Sequence, residues 1–358
     1  MGRRDRAGAH GVARRYDVAL DLTALDRIVE YEPEDLTLTA ECGVTIETLR
    51  ARLAAAGQEL PLEAPQPTRA TLGGVLATNA SGPRRRRFRA PRDRILGARF
   101  ALSDGTLARA GGRVVKNVAG YGIHRLLCGS RGGLGVIVEA SLKLLPAPSS
   151  RLALVYAARA SEIADAKRWA FLSRLEPAIV SVVLGAGALG AAAHGADALA
   201  ASTIAVVVGL EDDGPWVAQQ EQAVRRALGD PIARLDGDAA ERLGAALCEL
   251  GADRPTCLTL TTARTSPAAI GALASRAPGA PAVFHAPSGL LRVYPERDDA
   301  QRVMADVTAM EFVAHGRERR GRRGARRTGV GLDGRPPRAD PRRARSVGDA
   351  RLRPVLGT

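Results

Sequence analysis

The chain has 358 residues, of which 46% are hydrophobic and 25% are charged, and its formal net charge is +14. This length and apolar content can build folded cores, which excludes a wholly disordered protein. The charge lies at the ends: residues 316–358 hold fourteen Arg against four acids, residues 1–15 hold five Arg against one, and residues 16–315 are neutral overall. A basic, folded nucleic-acid surface is therefore not indicated.

The two ends differ in composition from the rest of the chain. Residues 316–358 contain no aromatic side chain that could stack on a base, which argues against a nucleic-acid partner. Arg, Gly, Pro and Ala are what a GC-rich gene gives when it is read out of frame. We interpret 1–15 as an atypical basic lead and 316–358 as a disordered or frame-shifted tail. Resequencing the locus would test this hypothesis.

The first predicted elements are a strand and a helix. Thr37–Gly43 alternates like a strand, and Thr45 can cap a helix whose Ile46, Leu49 and Leu53 share one face and which ends at Gly57. A proline-punctuated passage then leads to a Gly-Gly turn at 71–74, where a short helix is expected to start.

A hairpin and a long strand follow. Asp104-Gly105 predicts a tight turn between strands over 96–102 and 106–110. Alternation over 136–144 predicts a strand with Val136, Val138, Ala140, Leu142 and Leu144 on one face and Ile137, Glu139, Ser141 and Lys143 on the other. Pro146 and Pro148 end it and mark a domain boundary.

Beyond the prolines the pattern alternates between helical and extended segments. We predict helices over 161–175 and 216–228 and a buried strand over 203–210, which together favour a second α+β domain. The stretch 178–196 has no charged residue, but its glycines and small side chains favour a buried element of this domain over a membrane span. No transmembrane helix is predicted.

Two glycine-rich segments could hold an anionic cofactor. Gly73-Gly74 at a helix start could present backbone amides to a phosphate, although such a turn is more often only a turn. The segment 129–135, GSRGGLG, lies between a predicted helix and a strand, which is the reverse of the order in the dinucleotide-binding fingerprint. Four scattered cysteines without a C-x-x-C spacing indicate neither a zinc site nor a redox pair.

The order of these segments resembles that of a known family of domains. APQPTRATLGGVLATNASGP, a hairpin, and VVKNVAGYGIHRLLCGSRGGLGVIVEASLKLLP together resemble the PCMH-type FAD-binding domain of the vanillyl-alcohol oxidase fold. The KNVAGY passage is similar to the FAD-binding E subunit of bacterial glycolate oxidase. The resemblance implies an α+β fold with a PCMH-type FAD-binding domain over 16–147, truncated at its N-terminal subdomain, and an α+β cap domain over 148–315.

The resemblance also implies a set of FAD contacts. The turn at 71–74 would lie against the pyrophosphate, the segment 79–82 beside the flavin and ribityl chain, and the segment 129–137 at the adenine end. The implied cofactor-binding residues are Thr71, Leu72, Gly73, Gly74, Asn79, Ser81, Gly82, Gly129, Gly133, Gly135 and Ile137. Lys116, Asn117, Gly120 and Tyr121 would lie near these loops without an assigned role.

Departures from the family pattern affect the expected affinity for FAD and the assignment of catalytic residues. The first glycine-rich phosphate loop of such domains has no counterpart in 1–15, so FAD affinity is expected to be low if this lead is authentic. His124 stands where the family has Ser or Thr, and we interpret it as a helix-face residue. No convincing pair of a base and a cation emerges, and no catalytic residue is assigned. Arg292 or Arg297 could hold a carboxylate, with a surface position as the alternative reading.

The resemblance favours the FAD-binding subunit of a glycolate oxidase complex, which oxidises glycolate to glyoxylate with a catalytic flavoprotein subunit and an iron–sulfur subunit. A stand-alone FAD-linked 2-hydroxy acid oxidoreductase of the D-lactate type and a degenerate interaction subunit without flavin remain as alternatives. The N-terminus lacks an apolar signal region, so we expect a cytoplasmic protein, with peripheral attachment to the inner membrane through the complex left open.

Overall fold

The computed structural model describes residues 19–113, 121–163, 171–172, 174–185, 189, 204–252, 254, 256–261, 281–285, 289–295, 303 and 313–318. Residues 1–320 form one compact unit, and 321–358 form a second in which no residue is described. Among the described residues, no helix is long and apolar enough to cross a membrane.

The first part of the chain forms an antiparallel five-stranded sheet. Its strands are β1 (Ile28–Glu32), β2 (Thr37–Glu41), β4 (Ile95–Ala101), β5 (Leu107–Gly111) and β6 (Val136–Lys143), in the order β1-β2-β6-β4-β5. The helices are α1 (Ile46–Ala54), α2 (Leu72–Thr78), α3 (Arg85–Phe88) and α4 (Ile123–Leu127), with a 3₁₀ turn at Pro91–Asp93. A small ladder pairs β3 (Gln58–Glu59) with β7 (Leu145–Pro146).

Local chemistry explains the start of α1. The hydroxyl of Thr45 accepts a hydrogen bond of 3.1 Å from the Thr48 amide, which satisfies a donor at the helix N-terminus. Ile46, Leu49 and Leu53 are buried on one face, as their spacing predicts. The predicted cap and apolar face of this helix are confirmed.

The predicted hairpin is also confirmed, and the turn depends on one glycine. Gly105 has φ +86°, which a side chain would strain, and the Asp104 carboxylate accepts from the Thr106 amide at 2.9 Å. The next strand, β6, departs from simple alternation because the register with β4 shifts between Arg99 and Phe100. Ile137 is consequently buried, which corrects its predicted place on the face opposite Ala140.

The second part of the chain forms an antiparallel eight-stranded sheet, called here the cap sheet. Its strands are β8 (Ser150–Ala157), β9 (Ile179–Leu184), β10 (Ile204–Asp212), β11 (Ala233–Asp236), β12 (Thr256–Thr261), β13 (Ala282–His285), β14 (Leu290–Val293) and β15 (Val313–Glu318), in the order β11-β8-β10-β9-β13-β14-β12-β15. The helices are α5 (Ala160–Ile163), α6 (Gly214–Leu228) and α7 (Gly237–Glu249).

The two faces of the cap sheet have different neighbours. Val217 and Val224 of α6 pack on one face. Leu243 and Leu247 of α7 pack on the other, together with Phe88 of α3. This second face of the cap sheet therefore meets the first part of the chain, and the boundary between them is where the candidate site lies.

Candidate functional site

The implied pyrophosphate turn begins α2 and is bonded within the protein. The Thr71 hydroxyl accepts from the Gly74 amide at 3.2 Å. The Leu72 and Gly73 amides donate to backbone carbonyls 2.9 and 2.8 Å away, those of Val44 and Cys42. A phosphate contact through these amides would have to share or replace an existing bond, so the role implied for Thr71, Leu72, Gly73 and Gly74 stays a prediction.

Gly73 has a structural reason to be glycine. A β-carbon at this position would lie 2.9 Å from the carbonyl oxygen of Cys42, closer than real contacts allow. The absence of a side chain thus lets α2 pack directly on the residue that follows β2. Close backbone packing explains this glycine without any ligand.

The other two implied segments meet at the C-terminal end of α2. Asn79 ends the helix in the left-handed conformation, with φ +47°, and its side-chain oxygen accepts from the Arg92 amide at 3.1 Å. The Gly129 and Arg131 amides donate to the Leu76 and Ala77 carbonyls at 3.0 and 2.7 Å. The structure therefore brings the segments 79–82 and 129–133 together, although 50 positions separate them in sequence.

The glycine loop divides into an open part and a packed part. Gly129 and Gly132 have φ of +88° and +85°, and a β-carbon on Gly132 would meet nothing within 4 Å. Gly135 instead packs on β4, since a β-carbon there would lie 3.0 Å from the Ala101 oxygen. Ile137 is 5% exposed. The open residues 129–133 can approach a ligand, whereas the other two contribute to packing.

The open part of the loop offers the implied cofactor an unpaired polar group and exposed apolar surface. The Ser130 hydroxyl is buried and has no hydrogen-bond partner among the described residues, which leaves a polar group able to bind a ligand. Leu134, which follows the loop in sequence, is 51% exposed, and Tyr121, which precedes α4, is 90% exposed, so apolar surface is present for a planar ring system. Lys116, Asn117 and Gly120 lie outside the described residues.

Ser81 and Gly82 lie at the boundary with the cap sheet. The guanidinium of Arg85 donates to the Ser81 hydroxyl at 3.1 Å, and that of Arg292 donates to the Ser81 carbonyl at 2.6 Å. A β-carbon on Gly82 would lie 2.5 Å from the Cys248 sulfur. Arg292 is partly buried on β14, so its reading as a surface residue is wrong. Arg297 lies outside the described residues.

A buried charge network joins the two parts of the chain. The Arg84 guanidinium contacts carboxylates of Glu59 and Glu211, each at 2.6 Å, and its amide donates to Glu63 at 2.9 Å. Burial raises the pKa of Glu63 to about 7, against the opposing attraction of Arg84. Sequence reasoning missed this network, although the run of four arginines at 84–87 marks where it begins.

A second polar pair lies within the cap sheet. The Ser181 hydroxyl and the His285 ring are 2.8 Å apart on neighbouring strands. Burial, and then the charge of Arg292, lower the pKa of His285 to about 3, so the imidazole is neutral at physiological pH. His124 lies on α4, as predicted. No group of three metal-ligating side chains is present among the described residues.

Comparisons with known proteins match the first part of the chain. Residues 4–111 match the family described as "FAD binding domain". The chain is 45% identical over 136 residues to glycolate oxidase subunit GlcE of Escherichia coli (strain K12), covering 38% of this chain and 39% of that protein. It is 35% identical over 132 residues to glycolate oxidase subunit GlcD of Bacillus subtilis (strain 168), covering 37% and 28%. The match therefore spans less than half of these relatives.

Solved structures resemble a larger share of the chain. A p-cresol methylhydroxylase with bound substrate matches 84% of this chain and 72% of its own, with a TM-score of 0.60 and 14% identity. An alkyldihydroxyacetonephosphate synthase matches 81% and 61%, with a TM-score of 0.58 and 15% identity. At this identity the likeness concerns the fold.

Residues 4–111 therefore match an FAD-binding domain, and the chain shares the α+β fold of the PCMH-type structures. The resemblance to the FAD-binding E subunit of bacterial glycolate oxidase is confirmed. FAD is the cofactor of this class, and the open loop of 129–133 is compatible with it.

Proposed function

We propose that the chain is the FAD-binding subunit of a glycolate oxidase complex, in which it works with a catalytic flavoprotein subunit and an iron–sulfur subunit. The observation that carries the proposal is the 45% identity to the E. coli subunit over 136 residues. The proposed reaction is the oxidation of glycolate to glyoxylate, and the proposed location is the cytoplasm, with contact to the inner membrane through the complex.

Bound FAD supplies a two-electron acceptor for the oxidation of an alcohol. The residues of this chain would hold and shield it. Asn79, Ser81 and Gly82 would line one side, and the open loop of 129–133 would bind a second part of the cofactor, with the Ser130 hydroxyl as a hydrogen-bonding group. The cap sheet would exclude water from the side of Ser81, because α3 and α7 close the boundary there.

The experiment that tests the proposal compares the isolated chain with the co-expressed complex. Flavin absorbance at about 370 and about 450 nm reports bound cofactor, and reduction of an artificial electron acceptor by glycolate reports turnover. We expect flavin in both samples and turnover in the complex. A chain that binds neither flavin nor the partner subunits would contradict the proposal.

The second candidate is a stand-alone FAD-linked 2-hydroxy acid oxidoreductase. It is favoured by the 33% identity over 138 residues to a D-lactate dehydrogenase of Anaerostipes hadrus, of which the match covers 29%. It is also favoured by two arginines, Arg85 and Arg292, which both donate hydrogen bonds to Ser81 and could hold a carboxylate. Turnover of glycolate or D-lactate by the isolated chain would establish this candidate in place of the first.

A further inference from the structure

Two cations from distant parts of the sequence converge on Ser81. Arg85 comes from α3 of the FAD-binding domain and Arg292 from β14 of the cap sheet, and both donate to Ser81, one to its hydroxyl and one to its carbonyl. Both guanidinium groups are partly buried rather than fully exposed. The fold therefore brings two positive charges to the segment that is implied to run beside the flavin.

Neither cation has a carboxylate partner among the described residues. Other arginines at the same boundary do: Arg84 pairs with two glutamates, and Arg151 pairs with Glu59 at 3.1 Å. Arg85 and Arg292 instead donate to neutral oxygens of Ser81. Partly buried cations that lack an acid favour the binding of an anion, because desolvation is costly without a compensating charge.

The surroundings of Arg85 strengthen this argument. Burial lowers the pKa of Arg85, Asp93 opposes the shift, and the like charges of Arg292 and Arg92 lower it further. The Asp93 carboxylate already accepts a hydrogen bond of 3.0 Å from the Ala90 amide. The region around Ser81 is thus left with an excess of positive charge.

The groups around Arg292 also leave an excess of positive charge near Ser81 at neutral pH. Burial opposes its charge, while Tyr294, Cys257, Cys248 and Glu63 raise its pKa. Burial raises the pKa of Tyr294 and of Cys248 well above neutrality, so these two groups carry no charge there. Glu63 is only partly ionised near neutral pH, because its own pKa is raised to about 7.

We propose that Arg85 and Arg292 form an oxyanion site at Ser81 that binds the carboxylate of a 2-hydroxy acid. The substrate class rests on the proposed function, whereas the presence of an anion site rests on the geometry alone. Two guanidinium groups, each with several N–H donors, match the two oxygens of a carboxylate. The FAD-binding domain and the cap sheet then each contribute one cation to the same bound substrate.

The test measures binding of oxalate, a non-reacting dicarboxylate, to the purified full chain by calorimetry, with and without saturating FAD. Arg85→Met and Arg292→Met are each expected to weaken oxalate binding roughly 10- to 100-fold, the effect of losing a charge-assisted hydrogen bond. Arg226→Met, which removes an exposed cation from α6, is the matched control and is expected to leave binding unchanged. Arg85→Lys and Arg292→Lys retain charge and provide folded variants if the Met substitutions do not fold.

FAD titration of the same variants shows whether the two arginines bind a substrate carboxylate or the phosphates of FAD. Unchanged FAD affinity together with weakened oxalate binding supports the carboxylate site. A loss of FAD affinity with oxalate binding unaffected would assign the two arginines to the cofactor phosphates and overturn the proposal, as would oxalate binding that no variant alters. Arginine-dependent oxalate binding by a chain that joins no glycolate-oxidising complex would retain the site and reject the proposed function.

Discussion

Replacing Glu63 by Gln is expected to stabilise the folded chain at alkaline pH and to have little effect at acid pH. Glu63 is buried at the boundary, where its Oε2 accepts from the Arg84 amide at 2.9 Å. Gln has nearly the same shape and keeps an acceptor for that amide. The substitution therefore removes the ionisable group while preserving the local contact.

The magnitude follows from the pKa of Glu63. Burial raises this pKa from 4.5 to about 7, while Arg84 and Arg50 act in the opposite direction and Glu211 adds to the increase. Because the folded pKa lies above the unfolded value, stability is greatest below pH 4.5 and is lost as the pH rises through 7. At 1.36 kcal/mol per unit the loss is about 3 kcal/mol in the wild-type chain.

The assay is urea unfolding of both chains at several values between pH 5 and pH 8. Comparison of the two free energies at each pH cancels the contribution of every other titrating group, including His285. The stability advantage of Glu63→Gln should grow from about 1 kcal/mol at pH 5 to about 3 kcal/mol at pH 8. Glu47→Gln, at an exposed position on α1, controls for the loss of one carboxylate. An advantage that stays constant with pH would refute the reasoning.

Three further substitutions test other parts of the structure. Gly82→Ala should cost about 1–3 kcal/mol in urea unfolding, because its β-carbon would overlap the Cys248 sulfur; an unchanged midpoint would contradict this packing. Arg84→Met should cost about 3–5 kcal/mol, since it leaves the buried Glu211 carboxylate without its cation, while Glu59 retains its ion pair with Arg151; a neutral effect would mean that the network is open to water. Ser130→Ala should weaken FAD binding up to roughly 10-fold in a fluorescence titration, and unchanged affinity would exclude a contact there.

Local sequence chemistry predicted the elements whose causes lie within a few residues. Thr45 caps α1 through a hydrogen bond three positions away, and Gly105 turns the hairpin through its own positive φ. The bulge between β4 and β6 could not be predicted in this way, because it depends on the pairing of two distant strands. It changed the face on which Ile137 lies.

In the candidate functional site, too, some features could be expected from the sequence and others arise only from the tertiary fold. The family resemblance, and not a local pattern, implied that the segments around Asn79 and Gly129 contact one cofactor, and these segments meet at the end of α2. The bonds that occupy the amides of the 71–74 turn come from residues near β2, which no local pattern reveals. Contact between Ser81 and Arg292 spans 211 positions and requires the cap sheet to be folded.

The most direct test of the account is an equilibrium titration of the purified chain with FAD, followed by flavin fluorescence, with Ser130→Ala measured in parallel. The account predicts saturable, equimolar binding by the wild-type chain and a weaker affinity for the variant, because the open loop of 129–133 carries the contact. A folded wild-type chain that binds no FAD at any concentration tested would contradict the central claim.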